Sequence, residues 1–196
     1  LGVTNLQFSD PTIANAIAEG LRYERSWFEP ECDNWPDLRT APVEPPESPY
    51  VHTYMNAWCH GAPGIALSRL KLAQLTPDSE TRSEANIALK ATTEAITKHL
   101  AADMGNFSLC HGLAGNADIL ATAEQITTEP DYRKTARTVG EHGIERFGGA
   151  KAPWPSGLTG SQYVPTLMQG LAGTGHFYLR LHAPGNTSSI LATGLT

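Results

Sequence analysis

No apolar run in this chain approaches the roughly 20 residues that a membrane-spanning helix needs. Cysteine is scarce, with three in 196 residues, and charged residues make up only 17%. Three cysteines cannot all pair within one chain, so Cys32, Cys59 and Cys110 read as reduced thiols or metal ligands rather than a disulfide framework. Basic residues are outnumbered, 14 Lys and Arg against 20 Asp and Glu, which leaves a formal net charge of −6. That balance argues against non-specific binding to nucleic acid or to an anionic membrane, because both need a basic face. Period-two alternation long enough to insist on a sheet is also missing. A secretory segment is missing too, but the chain opens on Leu1 rather than Met, and a fragment or processed product is expected. The expected compartment is the cytoplasm.

What is present is an internal repeat. Trp58-Cys59-His60-Gly61-Ala62-Pro63-Gly64, Leu109-Cys110-His111-Gly112-Leu113-Ala114-Gly115 and Leu167-Met168-Gln169-Gly170-Leu171-Ala172-Gly173 share a G-x-x-G core, each followed by a helical, mostly apolar stretch. Cys110 follows Cys59 by 51 positions and Met168 follows Cys110 by 58. Such a period accommodates one helix pair per unit, and units of this kind bury their apolar faces against their neighbours.

Segments 113–126 and 171–181 are rich in Ala, Gly and Leu and suit an inner, closely packed layer. Polar helices are expected between the glycine motifs, over about Asp78–Leu100 and Pro130–Phe147, the second opened by a proline placed for a first turn. A further helix, capped by Ser9 or Asp10, is expected to run to about Phe28. Six prolines between Pro30 and Pro49 then forbid a helix. The chain is therefore expected to be all-α over residues 1–196, with a long loop at about 29–50 and a frayed tail from Ala183.

Cys59 and Cys110 occupy the same slot of successive repeats, so stacked units would bring both sulfurs to one end of the inner layer. With one imidazole they would complete a three-ligand zinc site whose fourth position stays open, the catalytic rather than the structural pattern. Helix N-termini nearby would favour thiolate over thiol. Met168 and Gln169 fill the slot in the third repeat, so one site is expected. The 51-residue spacing lacks a C-x-x-C knuckle, and buried free thiols would explain it equally well; the shared repeat phase is what favours a metal. His60 and His111 both compete for the imidazole role, the other being left as an outer donor or a wall of the cleft. The remaining histidines read as surface or packing residues and Cys32 as a spare thiol. The glycines form no phosphate loop, since neither Lys-Ser/Thr nor a preceding strand accompanies them.

Together these motifs resemble the cyclase domain of the lanthionine synthetases, closest to the C-terminal domain of the bifunctional class II (LanM-type) enzymes. The resemblance rests on the three repeats through Gly175, on Tyr23-Glu24-Arg25 and on Asn34-Trp35-Pro36-Asp37-Leu38-Arg39, and covers about Ala14 to Leu181. It implies an (α/α) toroid of inner and outer helices, here roughly the C-terminal half, with zinc on Cys59, Cys110 and His111. His60 is left as a catalytic candidate at the cleft wall. It also implies a dehydrated precursor peptide as substrate, whose cysteine thiolate adds to dehydroalanine or dehydrobutyrine to close a thioether ring. The family's additional histidine, in an earlier H-G-x-x-G repeat, and an upstream aspartate fall before this chain begins, as does the dehydratase domain of a class II enzyme. The upstream remainder of the toroid is thus an expected partner. Apolar inner-helix surface should be left exposed, and activity of the piece alone is not expected. Two other functions fit the same residues: a glutathione- or peptide-binding relative, and a metal-free helical scaffold with a concave binding face.

Overall fold

The computed structural model describes residues 10–40, 52–76, 78–150, 152–159 and 163–192. The helices are α1 (Pro11–Arg25), α2 (Ala62–Leu75), α3 (Ser79–Ala101), α4 (Leu113–Thr127), α5 (Pro130–Phe147) and α6 (Leu171–His182), with 3-10 turns at Leu38–Thr40 and Gly148–Ala150. Among the described residues the only extended pairings are isolated bridges. The all-α expectation holds, and the helix bounds differ from the sequence reading by a residue or two, except in α1.

Each start has a local cause. Asp10 caps α1 by accepting from the Thr12 N–H at 2.8 Å, and Asp78 caps α3 through Glu80 and Thr81 at 3.3 and 2.9 Å. Ser9, the alternative cap, lies outside the described residues, as does the loop over 41–51. Helix α1 ends at Arg25 rather than near Phe28. The Trp35 indole N–H takes the Glu24 carbonyl at 3.1 Å and the Ser26 hydroxyl takes that of Tyr23 at 2.7 Å, so the chain turns away.

Helix α4 lies between α2 and α6 in one layer, and α3 and α5 cover them from outside. The inner helices follow the three glycine motifs and begin without any side-chain cap. Packing sets those glycines. A Cβ on Gly61, Gly112 or Gly170 would meet the carbonyl oxygen six residues earlier at 1.9, 2.5 and 1.9 Å. Gly64, Gly115 and Gly173 repeat the relation at 2.3, 1.9 and 2.0 Å. One tight turn is therefore built three times. Only glycine lets the incoming loop lie flat on the first helical turn.

Between the layers lie Leu89, Ile96, Leu109, Ile119, Leu120 and Phe177, all fully buried. An aromatic group of Phe107, Phe147, Trp154 and Tyr178 closes one side, with ring centroids 5.2–5.7 Å apart. Helix α1 is fastened by charge. Buried Arg69 of α2 pairs with Glu24 at 2.7 Å and Glu84 at 2.6 Å, and Arg25 also reaches Glu84 at 2.5 Å.

The stretch after α6 does not fray as expected. Leu191 is buried, its carbonyl accepts from the Trp58 indole at 3.2 Å, and the Ser189 hydroxyl donates to Asp118 at 2.6 Å. Asp118 in turn pairs with buried Arg180, which also holds the Thr187 carbonyl at 3.2 Å. Inner helix α6 exposes Leu171 and Leu179, the latter at 60%, with exposed Leu167 just before it, as expected for an inner layer with an uncovered face.

Candidate metal centre

The first cysteine sits on a pinched turn. Ala57 and His60 exchange both backbone hydrogen bonds, at 3.0 and 3.2 Å, so Trp58 and Cys59 form the tip. Asn34 fastens that turn to α2: its Oδ1 accepts from the Ala62 N–H at 2.7 Å, and its Nδ2 donates to the Met55 carbonyl at 3.1 Å. Gly61, directly after the turn, has φ +88°, a conformation that costs other residues strain.

The second cysteine is held by the third repeat. Cys110 N–H donates to the Met168 carbonyl at 2.9 Å, and Gly157 N–H donates to the Gln169 carbonyl at 2.8 Å. Met168 and Gln169 thus serve the neighbouring slot through their backbone. Asn116 of α4 ties the first and second repeats together by donating to the Asn56 carbonyl at 2.8 Å.

The sulfurs of Cys59 and Cys110 and a ring nitrogen of His111 lie within 4.8 Å of one another, each residue half-buried. A tetrahedral ion with metal–sulfur bonds of about 2.3 Å separates two sulfurs by about 3.8 Å, so uptake needs side-chain movements of no more than roughly an ångström. His111 Nε2 stands 2.9 Å from the Gly157 carbonyl. A carbonyl only accepts, so Nε2 carries the proton and Nδ1 presents a lone pair. That fixes the tautomer a metal-binding histidine requires.

Burial first, then a hydrogen bond with Cys59 and its charge, push the Cys110 thiol up to about 11, and only the Arg39 charge opposes the rise. The expectation that helix N-termini would favour thiolate is not met at Cys110: α4 begins at Leu113, and desolvation outweighs it. Two adjacent half-buried thiols and one oriented imidazole suit a soft, tetrahedral cation, which would replace the thiol protons.

His60 does not join the cluster. Its Nδ1 stands 3.6 Å from an Asp37 carboxylate oxygen, and its ring lines a cleft of about 910 Å³ shared with Cys59, Trp58, Trp35, Leu38 and Leu21. Asp37 is 3% exposed and Arg39 64%. The Arg39 guanidinium forks onto Asp37 through Nε at 3.0 Å and Nη2 at 2.7 Å, which holds that carboxyl well below the usual carboxylate range. Sequence reasoning carried Asn34, Asp37 and Arg39 only as a resemblance and assigned them no role; an acid and a base two apart beside Trp35-Pro36 was the available signal. Gly157 carried none. Cys32, read as a spare thiol, is exposed, and His142, read as a surface or packing residue, pairs with Asp103 at 3.4 Å.

The layered helices and the Cys-Cys-His rim define a class: the lanthionine synthetase C-like proteins, whose family model matches residues 4–192. The chain belongs to that family. Among curated proteins it is similar to the lacticin 481/lactococcin biosynthesis protein LcnDR2 of Lactococcus lactis subsp. lactis, at 26% identity over 150 residues. That match covers 71% of this chain and 16% of LcnDR2, so the chain spans about a sixth of the relative's length. No helix among the described residues is long and apolar enough to cross a membrane.

Proposed function

We propose that this chain is the C-terminal part of a zinc-dependent, lanthionine-forming cyclase domain acting on a dehydrated precursor peptide. The observation that carries the proposal is the convergence of two thiols and an oriented imidazole, from two repeats, on one point. Cys59, Cys110 and His111 would hold the ion, leaving one position for the peptide's cysteine. Bound there, zinc would keep that cysteine as a thiolate at neutral pH.

The thiolate sulfur adds to Cβ of a dehydroalanine or dehydrobutyrine, and the π electrons move onto the carbonyl oxygen. The resulting enolate takes a proton at Cα, so the sum is addition of S–H across C=C. His60, on the wall of the cleft beside Cys59, would carry that proton. The apolar cleft between α1 and α2 offers room for the peptide around the reacting pair. Reduced thiols fit a cytoplasmic setting. In a class II synthetase the upstream toroid and a dehydratase domain would complete the machine.

The test supplies this chain, within a complete cyclase domain, with a short synthetic peptide bearing one dehydroalanine and one cysteine. Free thiol should disappear far faster than without enzyme. Thiol that persists at the enzyme-free rate overturns the reading, and a metal-free protein that still binds peptide would point to a scaffold.

A further inference from the structure

The metal triad and His60 leave unused one charged device at the same rim. Asp37 is almost wholly buried, and Arg39 grips it with its side chain and with its backbone N–H at 3.0 Å. Asp37 N–H donates to the Thr53 carbonyl at 2.8 Å, so the pair is built into the loop leading to the Cys59 turn. The guanidinium uses Nε and Nη2 on Asp37. Among the described residues its only further neighbour of this kind is the Met55 sulfur, at 4.0 Å. Among the described residues the Nη1 N–H groups have no partner, on a side chain that remains 64% exposed.

Asp37 links the guanidinium to the site: its carboxylate stands 3.6 Å from Nδ1 of His60, the residue after Cys59. A half-held arginine beside a reaction centre is suited to one task. Asp37 fixes the direction of the fork, while the remaining donors await an oxygen that gains charge.

Resting on the cyclase reading, we propose that Arg39 is a catalytic residue whose free guanidinium edge binds the carbonyl oxygen of the dehydrated residue and stabilises it as the enolate. In the addition step the S–Cβ bond forms, the C=C π pair shifts through Cα to oxygen, and the negative charge lands on that oxygen. Arg39 receives it with preformed N–H donors. The proton then returns to Cα and the oxygen becomes a neutral carbonyl again. Asp37 is the positioning residue that aims the fork. It neutralises only part of the cation's field, since one edge of the guanidinium remains uncovered.

The experiment uses this chain within a complete, zinc-loaded cyclase domain and the peptide with one dehydroalanine and one cysteine. Arg39→Gln alone would leave Asp37 without its cation, so the double variant Asp37→Asn/Arg39→Gln is made beside it. Donors aimed at a developing oxyanion are worth about 100- to 1,000-fold in rate. The double variant should therefore keep its zinc and its helical circular dichroism while kcat falls about 100-fold or more and KM stays within about threefold. Arg39→Lys keeps the charge without the fork and should fall in between.

A second readout tests the enolate itself. Preformed thioether product in D2O should acquire deuterium at its Cα with the parent protein and not with the double variant. An unchanged kcat, a defect confined to KM, or loss of zinc in the double variant would each overturn the assignment. Failure of the parent protein to close the ring would sink the cyclase reading beneath it instead.

Discussion

At the scale of single residues, metal uptake at the proposed centre would be a competition between a proton and a cation for sulfur. Cys110, raised to about 11, holds its proton throughout the neutral range when no ion is present. Metal uptake must displace that proton, so rising pH favours the metal-bound form. Zinc affinity is expected to strengthen at least about tenfold per pH unit between pH 6 and 8, as read by chelator competition. A pH-independent affinity would mean that Cys110 is not a ligand. Replacing either Cys59 or Cys110 with alanine should reduce bound zinc from one per chain to a small fraction, measured by elemental analysis of the dialysed protein. His111 depends on a neighbour with no side chain: a Cβ on Gly157 would lie 2.8 Å from its Nε2. Gly157→Ala should therefore tilt the ring and weaken zinc binding while leaving the helical circular dichroism intact, a pairing of outcomes that a general folding defect would not produce.

At the scale of elements, the repeated glycine turn separates packing from propensity. A Cβ at Gly115 would meet the Leu109 carbonyl oxygen at 1.9 Å, against rigid backbone. Gly115→Ala is expected to cost about 1–3 kcal/mol, the usual range for overpacking, and to lower Tm by several degrees. Gly20 sits within α1 with nothing inside 4 Å of an added Cβ. There the same substitution should stabilise by roughly 0.5–1 kcal/mol, because it only restricts the unfolded chain. Equal effects at the two sites, in thermal melts, would refute the close-approach account. Helix α5 shows how much a pattern alone conveys: Pro130 opens it and apolar spacing carries it to Phe147, the bounds expected from sequence. The end of α1 shows the opposite, since a tryptophan ten residues beyond the last turn caps its carbonyls.

At the scale of the whole molecule, the segment after α6 acts as a strap across the inner layer. The buried Arg180–Asp118 pair, with Ser189 on the second Asp118 oxygen, anchors it, and the Trp58 indole holds its far end beside the cysteine turn. Breaking a buried pair by removing one partner typically costs about 3–5 kcal/mol. Arg180→Ala should lower stability by that order and expose residues 183–192 to limited proteolysis; resistance equal to that of the parent protein would show that the strap is held by other means. Because the strap reaches Trp58, the same variant should also weaken zinc binding modestly.

The helical class, the threefold glycine motif and the shared slot of Cys59 and Cys110 were legible in the chain, because each is local: an apolar period, a turn signature and a repeat phase. The preference for His111 over His60 drew on family likeness; in the structure His111 lies with the two cysteines, its ring against the Gly157 carbonyl, while His60 faces Asp37. The order in the strap was not legible. Its composition is that of a surface tail, and its long-range anchors, Asp118 and Trp58, are side chains 71 and 133 positions from the residues they hold. Nor was the place of Arg39, since a charged pair in a proline-rich loop looks the same on a free surface as at a reaction centre. Spacing along one chain determines which residues share a face or a turn; which of those faces meet, and what a side chain finds there, depends on long-range packing that has no signature in the nearby sequence.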